Sequence, residues 1–303
     1  MQKVCSLPEA ISKHVQDGSA VVMGCGLESL IPFAAGYEMI RQRKKNLTLI
    51  CPISDMQFDI LIGAGCVKKV IAAWVGNVAA GLGHNFRRAM EEGVPNPLEI
   101  EEHSNFTIGL GLKAAAMGVS FLPTKTVRGS DFSASKQFRA VRCPFTDDEL
   151  LAVRAIVPDV AILHVQRADS EGNAHVWGNL GVVVEAARAA KTVIVTCEEL
   201  VDHDVILSDP NRTLIQGFLV SSVVHLPFGS HPSPTQGYAR RDNDFYFDYH
   251  EKSRTREGFQ RWLQKWVLDV KNHAGYLAEL GEDRVRKLKP EGNLFSPPVS
   301  FNL

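Results

Sequence analysis

The chain lacks several features by which common protein classes are recognised. No window approaches about 18 uninterrupted apolar residues, and residues 1–6 carry no apolar stretch, so neither a membrane span nor a signal peptide is predicted. The six cysteines include no Cys-x-x-Cys pair, which argues against a zinc site or a disulfide framework. The formal net charge is only -1, and nucleic-acid binding usually requires a basic surface. We therefore predict a cytoplasmic protein that binds neither nucleic acid nor a membrane.

The familiar catalytic motifs are also missing. The sequence contains no Gly-x-Ser-x-Gly elbow, no P-loop lysine motif and no His-Glu-x-x-His, which disfavours serine hydrolases, P-loop NTPases and zinc proteases. Gly109, Gly111 and Ala114 match the dinucleotide-binding fingerprint by letter. Because no strong strand precedes them and the flanking residues have a helical pattern, a nicotinamide-dependent dehydrogenase is only a weak alternative.

The features that are present indicate an α/β protein. Unbroken runs of Val, Ile and Leu alternate with helical patterns, and strands without polar alternation are typical of a parallel sheet that is covered on both faces. We predict an open, mostly parallel sheet with helices on both faces. The predicted strands are 47–51, 67–75, 122–127, 160–165, 192–197 and 220–226, and the predicted helices between them are 32–43, 55–63, 85–92, 106–117 and 181–190.

A different pattern begins near residue 253. Six apolar residues there recur at helical spacing and form one stripe, which predicts a long amphipathic helix that packs on the rest of the chain or on a partner. We therefore divide the chain into an α/β domain over 1–252 and a C-terminal helix and tail over 253–303. The stripe consists of Phe259, Trp262, Leu263, Trp266, Val267 and Val270.

The most informative segment is 18–32, where a strand runs into a Gly-rich turn and then into a helix that Pro32 opens. Glycines at such a turn let backbone N–H groups approach an anion or a developing oxyanion. Because parallel strands end at one edge of a sheet, residues that follow the strands 67–75 and 122–127 are expected to converge there. The predicted substrate-binding residues are Gly24, Cys25, Gly26, Glu28, Ser29, Asn77, Ser130 and Asp131. The alternative is that these residues serve only to form turns.

Several ordered segments resemble a known family. The string 17–26 is similar to the start of class I CoA-transferase α subunits, and the segments 59–63, 121–123, 128–130, 193–199 and 228–233 resemble glutaconate CoA-transferase α subunits in order and spacing. The resemblance implies an open α/β subunit that pairs with a related β subunit in an α2β2 complex. It also implies a CoA thioester and a small carboxylic acid as substrates, no permanently bound cofactor, and a nucleophilic glutamate on the β subunit. Glu171 is accordingly expected to be a turn residue.

One departure from that family bears on the reaction. Relatives carry Arg-Lys before the helix proline, whereas this chain has Glu28, Ser29, Leu30 and Ile31. A dicarboxylate favours a cation, so binding of a second anionic acid at this loop is disfavoured, and Leu30 and Ile31 either contact an alkyl group or pack into the core. Transfer of CoA between short dicarboxylic or branched acids is the first prediction. A branched glutaconyl-CoA decarboxylase, an acyl-CoA hydrolase and a non-catalytic scaffold are the alternatives.

Overall fold

The computed structural model describes residues 3–291, in which nine strands form one large sheet. The strands are β1 (Ala20–Met23), β2 (Leu47–Ile53), β3 (Val67–Trp74), β4 (Gly76–Asn77), β5 (Gly81–Leu82), β6 (Glu99–Glu102), β7 (Phe121–Thr124), β8 (Phe138–Arg142), β9 (Glu149–Arg154), β10 (Val160–Ala168), β11 (Ala174–His175), β12 (Thr192–Leu200), β13 (Thr213–Ile215) and β14 (Val220–His225). The helices are α1 (Leu7–His14), α2 (Phe33–Arg41), α3 (Asp55–Gly63), α4 (His84–Glu91), α5 (Asn105–Ala116), α6 (Val183–Ala189), α7 (His203–Leu207), α8 (Asn243–Ser253), α9 (Arg256–Leu263), α10 (His273–Leu280) and α11 (Glu282–Leu288).

The large sheet is parallel along its main path, as predicted. Neighbouring strands pair in parallel in the order β14-β12-β10-β1-β2-β3-β6, and the short strands β11 and β13 add to it in antiparallel fashion. The chain builds outward from β1 through β2 and β3 to β6, then returns and builds the other way from β10. The order in which the chain adds strands to the sheet therefore reverses between β1 and β10, although these two strands are parallel. In open α/β sheets, ligands bind beside the carboxyl ends of such a pair of strands.

Helices cover both faces of this sheet, and the core is divided accordingly. Val21 and Met23 of β1 belong to one apolar cluster, which also contains the buried side chains of α1, α2, α3 and α9. Val22 points to the opposite face and belongs to a second cluster with residues of α5 and α6. Because side chains alternate along a strand, unbroken apolar sequence supplies both clusters. The predicted fold class is confirmed.

One predicted strand does not belong to the large sheet. The segment predicted as a parallel strand over 122–127 is β7, which pairs with β9 in a separate three-stranded antiparallel sheet of order β7-β9-β8. Pro123 lacks a backbone N–H, and proline within a sheet is confined to edge strands such as β7. The prediction of a parallel strand here is wrong.

The glycines of the dinucleotide-binding fingerprint are also placed elsewhere than that motif requires. Gly109 and Gly111 lie inside α5 and not in a turn between a strand and a helix. A Cβ atom on Gly111 would come within 2.8 Å of the Ile156 side chain, so close packing of α5 explains the glycine. The structure gives the dehydrogenase alternative no support.

The C-terminal stripe is buried, but the helix is shorter than predicted. Its six apolar residues all lie in the large apolar cluster. Helix α9 passes into a π-helical turn, Gln264–Leu268, and the Asn272 side chain then caps α10. Residues 282–288, predicted as part of a tail, form α11. The last part of that tail, 292–303, lies outside the described residues. No helix within 3–291 is long and apolar enough to cross a membrane.

Candidate active site

The loop Gly24–Leu30 follows β1, at the point where the strand order of the sheet reverses. Gly24, Leu27 and Leu30 have φ angles of 77°, 63° and 57°, in the left-handed region. A leucine there costs about 1–2 kcal/mol relative to an ordinary conformation. Strained residues of this kind persist only where their surroundings fix the backbone, and they cluster at functional sites. The loop is therefore held in a defined shape.

Two distant segments hold this loop from either side. The Cys25 carbonyl accepts a hydrogen bond of 2.9 Å from the N–H of Val182, the residue directly before α6 in the segment after β11. The Leu30 N–H donates a bond of 3.0 Å to the carbonyl of Pro234, which lies in the segment after β14. Each bond joins the loop to a segment that follows one of the strands on the β10 side of the sheet.

Close approach of backbone to backbone explains two glycines. A Cβ atom on Gly26 would lie 2.4 Å from the Ser29 carbonyl oxygen and 3.1 Å from that of Asn179. One on Gly181 would lie 2.0 Å from the Cys25 carbonyl oxygen. Neither position can accept a methyl group unless the backbone moves. The turn alternative thus accounts for the presence of Gly26.

Most side chains of this loop face the protein interior. Cys25 is buried, and burial raises the pKa of its thiol, so it is not a thiolate nucleophile. The Ser29 hydroxyl, also buried, donates a 3.3 Å bond to the Gly26 carbonyl and closes the turn. Leu30 and Ile31 are buried in the two apolar clusters. The structure thus favours core packing over alkyl contact for the leucine and isoleucine side chains.

Glu28 is the exposed side chain of the loop, and a distant cation pairs with it. Arg241 Nη2 lies 2.8 Å from Glu28 Oε2, and its guanidinium carbon lies 5.9 Å from the ring centroid of Tyr246. The cation that the loop sequence lacks is therefore supplied from the segment before α8. The sequence of the loop itself contains no cation, but the folded chain brings Arg241 beside it.

Asp55 follows β2 as Gly24 follows β1, and sequence analysis did not select it. It is fully buried with a φ angle of 51°, and it accepts a hydrogen bond from Tyr246 Oη and from the N–H groups of Met56 and Val78. Burial raises the pKa of its carboxyl to about 6, although these bonds and the charge of Arg241 oppose the rise. A buried carboxyl whose pKa is raised, at the carboxyl ends of parallel strands, is a candidate functional group.

Asn77 is brought to the same region, where its amide is engaged by the protein. Its Nδ2 donates a bond of 2.9 Å to the carbonyl of Tyr246 in α8, and its Oδ1 accepts from the N–H groups of Ala79 and Ala80. The residue is buried and stabilises the β4-β5 turn. The first turn of α8 and Arg241 thus connect Glu28, Asp55 and Asn77.

Ser130 and Asp131 lie apart from this group in their connections. They are exposed in the loop after β7, and Ser130 Oγ donates a bond of 2.6 Å to the Val127 carbonyl. They were expected near the loop because parallel strands end at the same edge of a sheet, but β7 belongs to the separate antiparallel sheet. No hydrogen bond or ion pair within 3–291 joins either residue to the Gly24–Leu30 loop, Asp55 or Asn77. Their role in substrate binding stays a prediction, which Ser130→Ala tests.

The buried pair of Glu198 and His164 fixes the segment 228–234, which supports the Gly24–Leu30 loop. The Glu198 carboxylate accepts a 3.0 Å bond from His164 Nε2 and a 2.8 Å bond from the N–H of Phe228. Phe228 has a φ angle of 59° and begins the segment that reaches Pro234. Glu198 therefore positions the chain that holds Leu30.

Asp242 fixes the backbone next to Arg241. Its carboxylate accepts bonds of 2.6 and 2.8 Å from Arg284 and one of 2.9 Å from His231, and it also caps α8. Burial alone would raise the pKa of Asp242, but these hydrogen bonds outweigh burial and hold the pKa well below its usual range. Arg241 therefore extends from a rigid base.

One group of residues has the composition of a metal site. Asp169, Glu171 and His203 offer ligand atoms within 4.8 Å of one another. The Asp169 carboxylate is already engaged by the N–H groups of Glu171 and Asn173 and by His203 Nδ1 at 2.8 Å. These bonds form the turn between β10 and β11, which confirms that Glu171 lies in a turn and explains the group without an ion.

Comparison with known proteins decides the family. Residues 4–226 match the family model described as coenzyme A transferase. The chain belongs to this family. This CoA-transferase chain is 41% identical to the A-type subunit of 3-oxoadipate CoA-transferase from Pseudomonas knackmussii, over 94% of this chain and 100% of that protein. It is 35% identical to the A-type subunit of glutaconate CoA-transferase from Acidaminococcus fermentans, over 95% of each.

Solved structures agree with this assignment. The crystal structure of glutaconate CoA-transferase from Acidaminococcus fermentans matches with a TM-score of 0.91 and 33% identity, over 97% of this chain and 98% of that one. The decarboxylase AibA/AibB matches with a TM-score of 0.75 and 29% identity, over 87% of this chain and 100% of that one. The α subunit of a CoA-transferase, predicted from the sequence, is confirmed, and the alternatives are not favoured.

Proposed function

We propose that this chain works with a related β subunit to transfer CoA from an acyl-CoA thioester to a short dicarboxylic acid. The names of its relatives, which are subunits of 3-oxoadipate and glutaconate CoA-transferases, support this substrate class and the need for a partner. The departure from the family at 28–31 disfavoured binding of a second anionic acid, because the loop sequence itself contains no cation. Since Arg241 stands beside Glu28, that argument no longer applies.

The position and backbone of the Gly24–Leu30 loop carry the proposal. The loop lies at the carboxyl end of β1, where the strand order of the sheet reverses. The N–H groups of Leu27 and Glu28 donate hydrogen bonds to no residue within 3–291. Backbone N–H groups in a fixed loop stabilise the negative charge that develops on a thioester oxygen. In this proposal the loop orients the acyl group, and the nucleophilic glutamate is supplied by the β subunit, as the family resemblance implies.

A CoA-transfer assay on the assembled complex tests the proposal. The chain, co-expressed with its β subunit, is incubated with succinyl-CoA and 3-oxoadipate, and the CoA thioesters are separated by chromatography. We expect succinyl-CoA to be consumed as 3-oxoadipyl-CoA forms in equal amount, with succinate released, and no transfer by this chain alone. Release of free CoA or of CO2 without a new thioester would overturn the proposal. The mass of the complex tests the α2β2 stoichiometry.

A scaffold role makes a different prediction for the same complex. If this chain only stabilised the β subunit, substitutions at the loop would leave kcat and KM unchanged as long as the complex assembled. Arg240 is exposed and adjacent to Arg241, so Arg240→Gln removes the same charge away from Glu28 and is the matched control. A change in kinetics for Arg241→Gln, but not for Arg240→Gln, excludes the scaffold.

A further inference from the structure

The ion pair between Glu28 and Arg241 joins a largely buried guanidinium to a more exposed carboxylate. Only 27% of the Arg241 side chain is exposed, compared with 54% of that of Glu28, and the guanidinium lies against the Tyr246 ring. Arg241 Nη2 contacts both the Glu28 carboxylate, at 2.8 Å, and the Glu28 carbonyl, at 3.4 Å. The cation is therefore held in one place, while its carboxylate partner is the more exposed of the two.

The fold does not need this pair to keep the loop in shape. Hydrogen bonds to Val182 and Pro234 already hold both ends of Gly24–Leu30. An ion pair with an exposed partner contributes about 0–1 kcal/mol to stability. Arg241, in contrast, is fixed from behind, because the neighbouring Asp242 is buried and bonded to His231 and Arg284. Such rigidity positions a guanidinium for a ligand.

Arg241 also has hydrogen-bonding capacity left. A guanidinium has five N–H donors that match the geometry of a carboxylate. The contacts to Glu28 use Nη2, whereas Nε and Nη1 donate to no residue within 3–291. A second carboxylate can therefore bind beside that of Glu28 or replace it.

We propose that Arg241 binds the distal carboxylate of the acid substrate, and that Glu28 occupies the same guanidinium when no acid is bound. This inference rests on the proposed function and makes it more specific, because it identifies the group that distinguishes dicarboxylic from monocarboxylic acids. The acid displaces the Glu28 carboxylate, which has room to move into solvent. Two residues 213 positions apart thereby determine acid specificity together.

Steady-state kinetics of the α–β complex test this inference. The acceptors are 3-oxoadipate and 3-oxohexanoate, which have the same chain length but differ in the distal carboxylate, and succinyl-CoA is the donor. For Arg241→Gln we expect the KM for 3-oxoadipate to rise about ten- to hundredfold, the range expected for loss of a charge-assisted hydrogen bond. The KM for 3-oxohexanoate should stay unchanged, and Arg240→Gln should alter neither value.

Glu28→Gln provides the decisive second variant. Because it removes a competing carboxylate, we expect the KM for 3-oxoadipate to fall, opposite in sign to the effect of Arg241→Gln. If both variants raise KM for both acids, the pair is a structural clamp and the inference is wrong. If the wild-type complex transfers CoA and neither variant changes the preference between the acids, the inference fails while the proposed function stands. If the wild-type complex transfers no CoA to either acid, the proposed function fails as well.

Discussion

Replacing Gly26 by alanine tests whether the shape of the Gly24–Leu30 loop is needed for activity. The new methyl group would lie 2.4 Å from the Ser29 carbonyl oxygen and 3.1 Å from that of Asn179. The normal separation between carbon and carbonyl oxygen is about 3.3–3.6 Å, so the Ser29 carbonyl must retreat by about 1 Å. Both obstacles are backbone atoms, and no change of rotamer relieves them.

The expected cost follows from that displacement. Overpacking of a well-filled site costs about 1–3 kcal/mol, so the free energy of unfolding should fall by this amount. A displacement of about 1 Å in a positioning loop lowers turnover by about two orders of magnitude. Because folded domains have about 5–15 kcal/mol of stability, the variant should stay folded while its turnover falls. Gly181→Ala, whose methyl group would meet the Cys25 carbonyl at 2.0 Å from the opposite side, should have a similar effect.

Gly109→Ala is the matched control. Gly109 lies in α5, and an added methyl group would meet only the Val182 side chain, at 3.4 Å. Alanine is favoured over glycine in a helix by about 1 kcal/mol, so this variant should be at least as stable as the wild type and fully active. The assays are thermal unfolding of the full chain and CoA transfer by the complex. Wild-type turnover in the Gly26→Ala complex would refute the reasoning.

Three further predictions concern buried carboxyl groups. The pKa of Asp55 is about 6 in the folded chain and about 3.9 in the unfolded chain, so the folded chain binds the proton more tightly. As pH rises from 4 to 6, ionisation of Asp55 therefore lowers the free energy of unfolding by up to about 3 kcal/mol. Wild type should therefore lose stability relative to Asp55→Asn over that range in chemical denaturation, and a pH-independent difference would contradict this. The pKa of Asp242 is lowered instead, so its advantage over Asp242→Asn should be present at neutral pH and disappear as pH falls below about 4; an advantage that persists in acid would argue against it. Glu198→Ala should lower the free energy of unfolding by about 1–3 kcal/mol, because it leaves buried polar groups unpaired. Glu199 is half-exposed, so Glu199→Ala should lower it by only about 0–1 kcal/mol. Equal losses for the two variants would count against the role of Glu198.

The sequence was sufficient for the parallel sheet because local composition determines burial. The runs that became β10 and β12 have no polar alternation, and they lie in the middle of the sheet with helices on both faces. The hydrophobic residues of 122–127 predict a parallel strand, but the segment contains Pro123 and forms β7 of the separate antiparallel sheet. A proline excludes a central strand, and this signal was available in the sequence.

The site was only partly predictable for a different reason. Gly24 and Gly26 were identified because a turn that needs glycine leaves a mark in the sequence at that point. Arg241 leaves no such mark, since it meets Glu28 only after the chain has folded back across 213 positions. Asp55 had a weak signal, an acidic residue directly after a buried strand, but its raised pKa depends on burial that only the fold reveals.

The way the Gly24–Leu30 loop is supported has a consequence for synthesis of the chain. The segment that matches the family ends at residue 226, yet Pro234 and Arg241 lie beyond it. A nascent chain that has emerged only as far as β14 holds every strand of the parallel sheet while this loop still lacks two of its neighbours. The loop therefore acquires its final surroundings late, when the part of the polypeptide after β14 docks, and a premature stop in that region would leave the loop without Pro234 and Arg241.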